Sequence, residues 1–450
     1  MKNKSINKEI IFLIVSVIAF VAMYIFAFVI KPKPVKNAGQ EVVIATEKDA
    51  PDNSEVKEND QQDNSEATEE EKKTNREIGH YPAVSGEVGV LDEKYSYGDV
   101  RRYGIIPDKD TIWHNTQYIN NAFNNGSKLG FEVFFPKGFY KTQLNISQSN
   151  LTLDFEEGSE VTGGVYIYTI DNQNKIKNVT IKGTIVTYDR FAATNTDTLI
   201  VDTIYVKGDG SKATDYPGIR GRGVHIYKGT TNMRCKSIII DDIDGNGENN
   251  CAAVQIDGYV ENPSNLSIDK IWVKKSDVHG VYLTGNGHKI GEIQVDEFGA
   301  GANKQPQPIE DSDDLEQSQE LKGVWINRCA DTKIGKITVK NPDETRKNVK
   351  YDVLLDETGK GANTKGVEIG EIISNPMGKS LGVAINDKNY PGKQCIYKIG
   401  TITIATDRKD KHFVNINSKA QATIETININ DSALVQNDSD ESTISNIKTN

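Results

Sequence analysis

Between residues 176 and 429 one short pattern, apolar-x-x-apolar-x-apolar, returns nine times, and nothing else in the chain restricts its fold so tightly. It starts at Ile176, Val201, Cys235, Ile268, Ile290, Ile334, Ile369, Ile399 and Ile424, with Ser374 replacing the last apolar position of the seventh copy. The copies alternate apolar and polar residues, are rich in β-branched side chains, and are separated by Gly, Asn and Asp, which is the signature of strands and turns. A second strand pattern stands between most of them, centred on Val224, Val254, Val281, Val324, Val353, Val383 and Val414. Successive starts lie 22 to 44 residues apart, too irregular for a propeller, which wants four strands in a steadier period. Two or three short strands per uneven unit describe a solenoid coil. A single coil cannot bury its apolar side alone, so stacking must supply the core.

The chain ahead of the repeats divides by composition. Residues 10–30 are an apolar run without charge, interrupted only by Ser16 and Tyr24. A helix of that length crosses a ~30 Å hydrocarbon core. The run is longer than a signal-peptide core and no small-x-small site closes it, so a transmembrane anchor is expected rather than a cleaved leader. Residues 37–80 hold 13 Asp and Glu against 5 Lys and Arg, with few apolar groups and no periodicity, and are expected to form a disordered tether. The first 36 residues carry +5 and the tether −8, which leaves −8 of the formal −11 for the remainder. Much of that remainder sits in one acidic stretch, Glu310 to Glu320. No basic patch points to nucleic acid. The expected order is a cytoplasmic stub (1–9), the anchor (10–30), the tether (31–84), an opening segment with a cap (85–145), β-helix coils (146–440) and a C-terminal tail (441–450). The N-terminus is expected inside the cell and the β-helix outside, because a long acidic domain follows a nine-residue stub. Cys235, Cys251, Cys329 and Cys395 show no metal-type spacing and sit in or beside strand-like segments, as buried small side chains would.

Residues 97–144 resemble the opening segment of the pectate-lyase-like superfamily of right-handed parallel β-helices, which includes rhamnogalacturonases and epimerase-like enzymes. The resemblance rests on Asp99-Val100 with Tyr103-Gly104, and on Asp110-Thr111 opening a helix through Asn115, Ile119 and Ala122. It continues through Gly130, the strand Val133-Phe134-Phe135-Pro136, and Gly138 with Tyr140. It implies an all-β, right-handed parallel β-helix with an N-terminal capping helix, whose apolar face (Ile112, Ile119, Phe123) covers the end of the solenoid. It does not name a reaction, because the fold hosts lyases, hydrolases, epimerases and pure binders. A polygalacturonase signature is matched only by Asn195-Thr196-Asp197, Asp241-Asp242 and Gly287-His288. Lys289 stands where a second Gly belongs and no Arg-Ile-Lys follows, so the signature is not carried over.

Candidate chemistry follows from strand alternation. The residue after each inward Val should face outward, giving the column His225, Gln255, Tyr282, Trp325, Leu354, Ala384, Asn415. Two residues further on stands Tyr227, Asp257, Thr284, Asn327, Asp356, Asn386, Asn417. Rings beside hydrogen-bonding groups suit sugars, so Tyr227, Gln255, Tyr282, Trp325, Asn327 and Arg328 are the candidate polysaccharide-binding residues. The long segments 207–222, 241–252 and 296–322 would emerge beside these coils, with residues 299–321 an acidic loop outside the solenoid. Asp257, His225 and His279 are the candidate acids and bases, with Arg222 a cation able to neutralise a uronate carboxylate. Asp242-x-Asp244-x-Asn246-Gly247 resembles the first half of a calcium loop, although Ala253 stands where its bidentate carboxylate belongs. Calcium on Asp242, Asp244 and Asn246 is the one cofactor suggested. The expected function is cell-surface polysaccharide processing by a lyase, glycoside hydrolase or epimerase; the alternative is a non-catalytic β-helix that binds or organises an exopolysaccharide.

Overall fold

The computed structural model describes residues 76–108, 116–169, 174–208, 223–243, 252–258, 261–276, 278–300, 321–340, 349–356, 366–385 and 396–449. The apolar run at 10–30, the tether up to residue 75, and the loop at 301–320 lie outside them, as do Arg222, Asp244, Asn246, Cys251 and Cys395. Among the described residues no helix is long and apolar enough to cross a membrane.

The chain alternates between two parallel sheets. A long-strand sheet of fourteen strands takes Leu151–Phe155, Ile176–Thr187, Thr196–Val206, Arg234–Ile240, Ser267–Val273 and Lys289–Val295, and runs on to Thr443–Thr449. A short-strand sheet of eleven takes the intervening segments, among them Gly223–Ile226, Ala252–Ile256, His279–Asn286, Leu321–Ala330 and Val349–Asp356. One strand per sheet per turn, every pairing parallel, is a parallel β-helix. The seven Val positions of the second pattern stand in one unbroken register from Val224 to Val414. The central apolar residues of the first pattern, Ile204, Ile238, Ile271, Ile293, Ile337, Ile372, Ile402 and Ile427, form a column with no exposure. Each such side chain contributes ~1.5–3 kcal/mol of burial, so the solenoid is held chiefly by this stack.

In seven successive coils the turn into the long strand places one residue in the left-handed region. Asn178, Thr198, Asn232, Asn265 and Asp331 have φ between 47° and 60°, and Gly287 and Gly366 take 72° and 80°. Asn, Asp and Gly tolerate this conformation best, which explains their place three residues ahead of the repeats at Cys235, Ile268, Ile290, Ile334 and Ile369. Neighbouring turns are tied by amide bonds, Asn265 Nδ2 to Asn232 Oδ1 at 3.3 Å and Asn232 Nδ2 to Asp197 Oδ1 at 2.7 Å. This turn also corrects the register of the first copy. Val201 pairs with Ile181, not with Ile176, which pairs with Thr196. Ile181 is the residue three beyond Asn178, and one extra residue before Ile185 is absorbed by a bulge at Gly183, φ 75°. At the other end, Thr443–Thr449, inside the segment expected as a tail, adds a further strand with Ile444 opposite Ile424 and Ile447 opposite Ile427.

The opening segment closes the first coils. The helix Thr116–Leu129 buries Ile119, Ala122, Phe123 and Gly126, and a side chain at Gly126 would strike Val133 and Leu151 at 2.6 and 2.8 Å. Its predicted start at Asp110, with Ile112, lies outside the described residues. Beneath it Arg102 and Glu87, neither exposed, form an ion pair at 2.7 Å to which Tyr103 Oη adds a hydrogen bond at 2.9 Å. Burial alone would raise the Glu87 pKa, but the bonds from Arg102, Tyr103 and the Val84 amide outweigh it and hold it below its ordinary value.

Candidate ligand-binding face

The predicted outward column of the short sheet forms in the predicted order: His225 opposite Gln255, Gln255 opposite Tyr282, Tyr282 opposite Trp325, then Leu354, Ala384 and Asn415. The Tyr282 and Trp325 rings lie 4.7 Å apart, centroid to centroid, at 49°. Lys322 Nζ sits 4.5 Å from the Trp325 ring centroid, and the His279 ring meets that indole edge-on at 5.8 Å.

Beside the rings runs a polar network that one backbone irregularity creates. The Leu321–Ala330 strand pairs Ile326 with Leu283 but Cys329 with Gly285, so Thr284 faces both Asn327 and Arg328. Arg328 occupies the left-handed region at φ 53°. The bulge turns two consecutive polar side chains the same way, which a regular strand cannot do. Arg328 Nη2 then reaches Asp257 Oδ1 at 3.0 Å and Tyr282 Oη at 3.3 Å, and Asn327 Nδ2 reaches the same phenol oxygen at 3.1 Å. Thr284 Oγ1 donates to the Ile256 carbonyl at 3.0 Å and contacts Asp257 Oδ1 at 3.3 Å. The Arg328 and Asp257 side chains are 11 % and 16 % exposed, which makes this a largely desolvated pair. Burial raises the Tyr282 pKa, so the phenol stays a neutral donor at physiological pH. Five candidates from sequence, Asp257, Tyr282, Trp325, Asn327 and Arg328, are therefore brought together.

The histidines depart from expectation. His225 does not face solvent; it is wholly buried, bonded through Nδ1 to Tyr227 Oη, with the two rings edge to face at 5.3 Å. His279 is also buried, and its Nδ1 accepts the Lys322 backbone N–H at 3.0 Å. Burial, with the Lys322 charge adding to it, pushes the His279 pKa down to about 3, so the ring is neutral and its Nδ1 is committed. Neither ring presents an open edge for proton transfer, because closely packed neighbours, not solvent, surround it. Leu354 and Ala384 likewise face away from the core yet are covered, joining Tyr351 in a small second apolar cluster against Trp325.

The partial polygalacturonase signature is structural here. Asp197 accepts from Asn232 and Thr231 in the turn ladder, and Asp241 and Asp242 pair with Lys274 and Lys275 at 2.8 and 3.1 Å. His288 is fully buried, with the Leu266 N–H 3.3 Å from its Nδ1. Among the described residues no group of three His, Cys, Asp or Glu is arranged to hold a metal ion. Cys235 and Cys329 are buried, their Sγ atoms 3.3 Å from the Ser237 and Leu283 carbonyl oxygens, and burial pushes the Cys235 pKa up to about 12.

Two features of this face went unread in the sequence. Lys322, 1 % exposed, sits one residue before the glycine that opens its strand pattern and looked like a loop residue. The bulge does have a sequence trace: Ile326 and Cys329, both inward, are three residues apart where a regular strand allows two.

Fold and face together define a parallel β-helix with an aromatic and hydrogen-bonding strip on its short-strand sheet. Among solved structures, that of the Streptococcus pneumoniae surface protein and adhesin PfbA is similar at a TM-score of 0.50 and 14 % identity, over 78 % of this chain and 96 % of that one. A second structure of PfbA, a surface adhesin of the same organism, gives a TM-score of 0.48 at 14 % identity over 74 % and 87 %. At such identity the likeness is one of fold. No protein-family model matches the sequence, and no curated protein matches it.

Proposed function

We propose that this chain is a cell-surface β-helix, held to the membrane by residues 10–30 and spaced from it by the acidic segment that follows, which binds polysaccharide at the Tyr282–Trp325 face without transforming it. The observation that carries the reading is the state of Asp257. Inverting hydrolysis needs one protonated and one ionised carboxyl group, and elimination needs a free base beside a cation that neutralises a uronate. Asp257 is instead bound to Arg328 at 3.0 Å, so each occupies the other. With His279 held neutral and bonded to backbone, the sequence candidates for general acid and base are already spoken for. What is left is binding chemistry: two adjacent tilted rings, a phenol, an amide and a charge pair able to share hydrogen bonds with hydroxyl groups. Surface display is supported by the charge and hydropathy order of residues 1–80 and by the fold shared with a surface adhesin.

The test is a binding and turnover screen of bacterial and plant polysaccharides. Trp325→Ala and Tyr282→Ala should each weaken binding roughly tenfold or more, whereas Asn415→Ala, three coils beyond Trp325 in the same column, should not. Turnover of any bound polysaccharide by the parent, abolished in Asp257→Asn with binding intact, would replace this reading with a catalytic one.

A further inference from the structure

Half of the large apolar side chains exposed among the described residues stand in one short stretch of the opening segment: Ile78 at 70 %, Val84 at 39 %, Val88 at 48 % and Leu91 at 59 %. Residues 86–91 lie along the helix Thr116–Leu129. The Val88 N–H and C=O are both bonded to the Asn125 side-chain amide, at 3.0 and 2.8 Å, and side chains at Gly86 and Gly89 would meet Leu129 and Asn121. Ile78 is brought beside this strap because the Gly79 and Tyr81 N–H groups donate to the Lys94 and Glu93 carbonyls. From Pro82 to Leu91 the one ionisable side chain is Glu87, and it is turned inward onto Arg102, neither exposed. A solenoid cap needs a polar outer surface to stay soluble; an uncharged apolar one marks a contact surface.

Three observations say what meets it. Arg76 bonds Glu132 at 2.8 Å and also Asp154, and lies over the Phe134 ring at 3.6 Å, so the chain that follows the apolar run at 10–30 joins the solenoid at this same end. The stretch from Pro82 to Leu91 offers no charge to an acidic or basic partner, and its complement is the apolar layer of a lipid interface. Tyr81 and Tyr97, edge to face at 5.8 Å, border it with the amphipathic rings that favour such interfaces. A second copy is the other apolar partner to hand. End-to-end docking, however, needs two solenoids pointing in opposite directions, which copies anchored in one membrane by their N-terminal segments do not present.

Resting on the membrane anchor proposed above, we infer that the N-terminal end of the solenoid docks on the lipid surface, with Ile78, Val84, Val88 and Leu91 entering the boundary between headgroups and acyl chains. A few side chains bind a bilayer weakly, but the tether holds them near it at a high effective concentration, so weak contacts suffice. Docking turns a tethered domain into one that stands on the membrane. The Tyr282 strand is the fifth beyond Leu144–Ile146 in the short sheet, so the ligand-binding face is held roughly 25 Å above the first coil.

The experiment reconstitutes the full chain into phosphatidylcholine vesicles carrying lipid brominated in its acyl chains, which quenches nearby tryptophan. It compares Leu91→Trp, and independently Val88→Trp, with Ile447→Trp in the last coil, 40 % exposed, and with the parent, whose own tryptophans set the background. The expected result is added quenching at both patch positions, none at Ile447, and no change in high salt. Adding Ile78→Ser and Val84→Ser should lower the ratio of docked to undocked chain roughly tenfold. Vesicle-bound chain without quenching at either patch position would overturn the docking and leave the anchor standing. Blue-shifted patch reporters that escape quenching and follow the protein-to-lipid ratio would assign the surface to a second copy instead. Quenching at all three positions would show a solenoid lying on the bilayer and overturn the end-on contact. A chain that does not float with the vesicles at all would overturn the anchor, and the docking with it.

Discussion

Two departures from the repeats meet inside one coil, and they make a quantitative prediction. The position before the inward Val is small in five of the seven coils, Gly223, Ala253, Gly280, Gly323 and Gly382, and a side chain at Gly323 would press on Val339 of the long sheet at 2.7 Å. In the next coil that position is Asp352, and the residue aligned with Val339 is Ser374. The serine makes room and donates to Asp352 Oδ2 at 2.7 Å, while Ser380 donates to Oδ1 at 2.7 Å. The carboxyl group is completely buried. Burial raises its pKa from the ordinary 3.8 to about 6, although both serines and the Arg408 charge pull the other way. A folded-state value above the unfolded one means that the fold prefers the protonated acid. Below the unfolded value there is no penalty. It grows as pH rises from about 4 to about 6 and persists above that, reaching about 3 kcal/mol. Asp352→Asn cannot ionise, can accept from one serine and donate to the other, and so should be more stable than the parent at pH 7 by up to that amount. Near pH 4 the two should coincide. Denaturant midpoints across this pH range check it, compared as midpoints because long solenoids need not unfold in two states. Ser374→Val alone should destabilise by stranding Oδ2, whereas Asp352→Gly with Ser374→Val recreates the Gly323–Val339 pairing and should recover most of the loss. Parallel pH–stability curves for Asp352→Asn and the parent would refute the reasoning.

Three other outcomes are expected. Glu87→Gln should lower stability at neutral pH by about 3–5 kcal/mol by leaving Arg102 buried without its charge partner; because Glu87 is held below its ordinary 4.5, the parent should lose this contribution as pH falls below that value, the reverse of Asp352. Gly335→Ala should cost about 1–3 kcal/mol in a denaturant series, since its Cβ would stand 2.5 Å from the Gly291 carbonyl oxygen in a column that continues through Gly370 and Gly400. The intact chain should pellet with membranes, and protease on whole cells should release a soluble fragment cut between residues 37 and 80; a shed product lacking residues 1–36 without added protease would argue against the anchor.

The sequence alone determined the β-helix and the register of its short sheet. Strand alternation is a property of the backbone, so the Val column from Val224 to Val414 could be aligned before any contact was known. It also carried the order Gln255, Tyr282, Trp325, because each coil adds one strand to the same sheet. It misplaced the first long-strand copy at Ile176, because apolar spacing cannot tell a bulge from a turn; the left-handed Asn178 and Gly183 settle it. Tertiary structure decided everything that depends on what lies over a surface. Outward of the core does not mean exposed, so His225 and Leu354 are covered while Tyr282 and Trp325 keep part of their surface. Only the folded chain pairs Arg328 with Asp257, 71 residues apart, and joins Ser374 to Asp352, because partnership between distant charges depends on coil stacking and loop length, which no local pattern records.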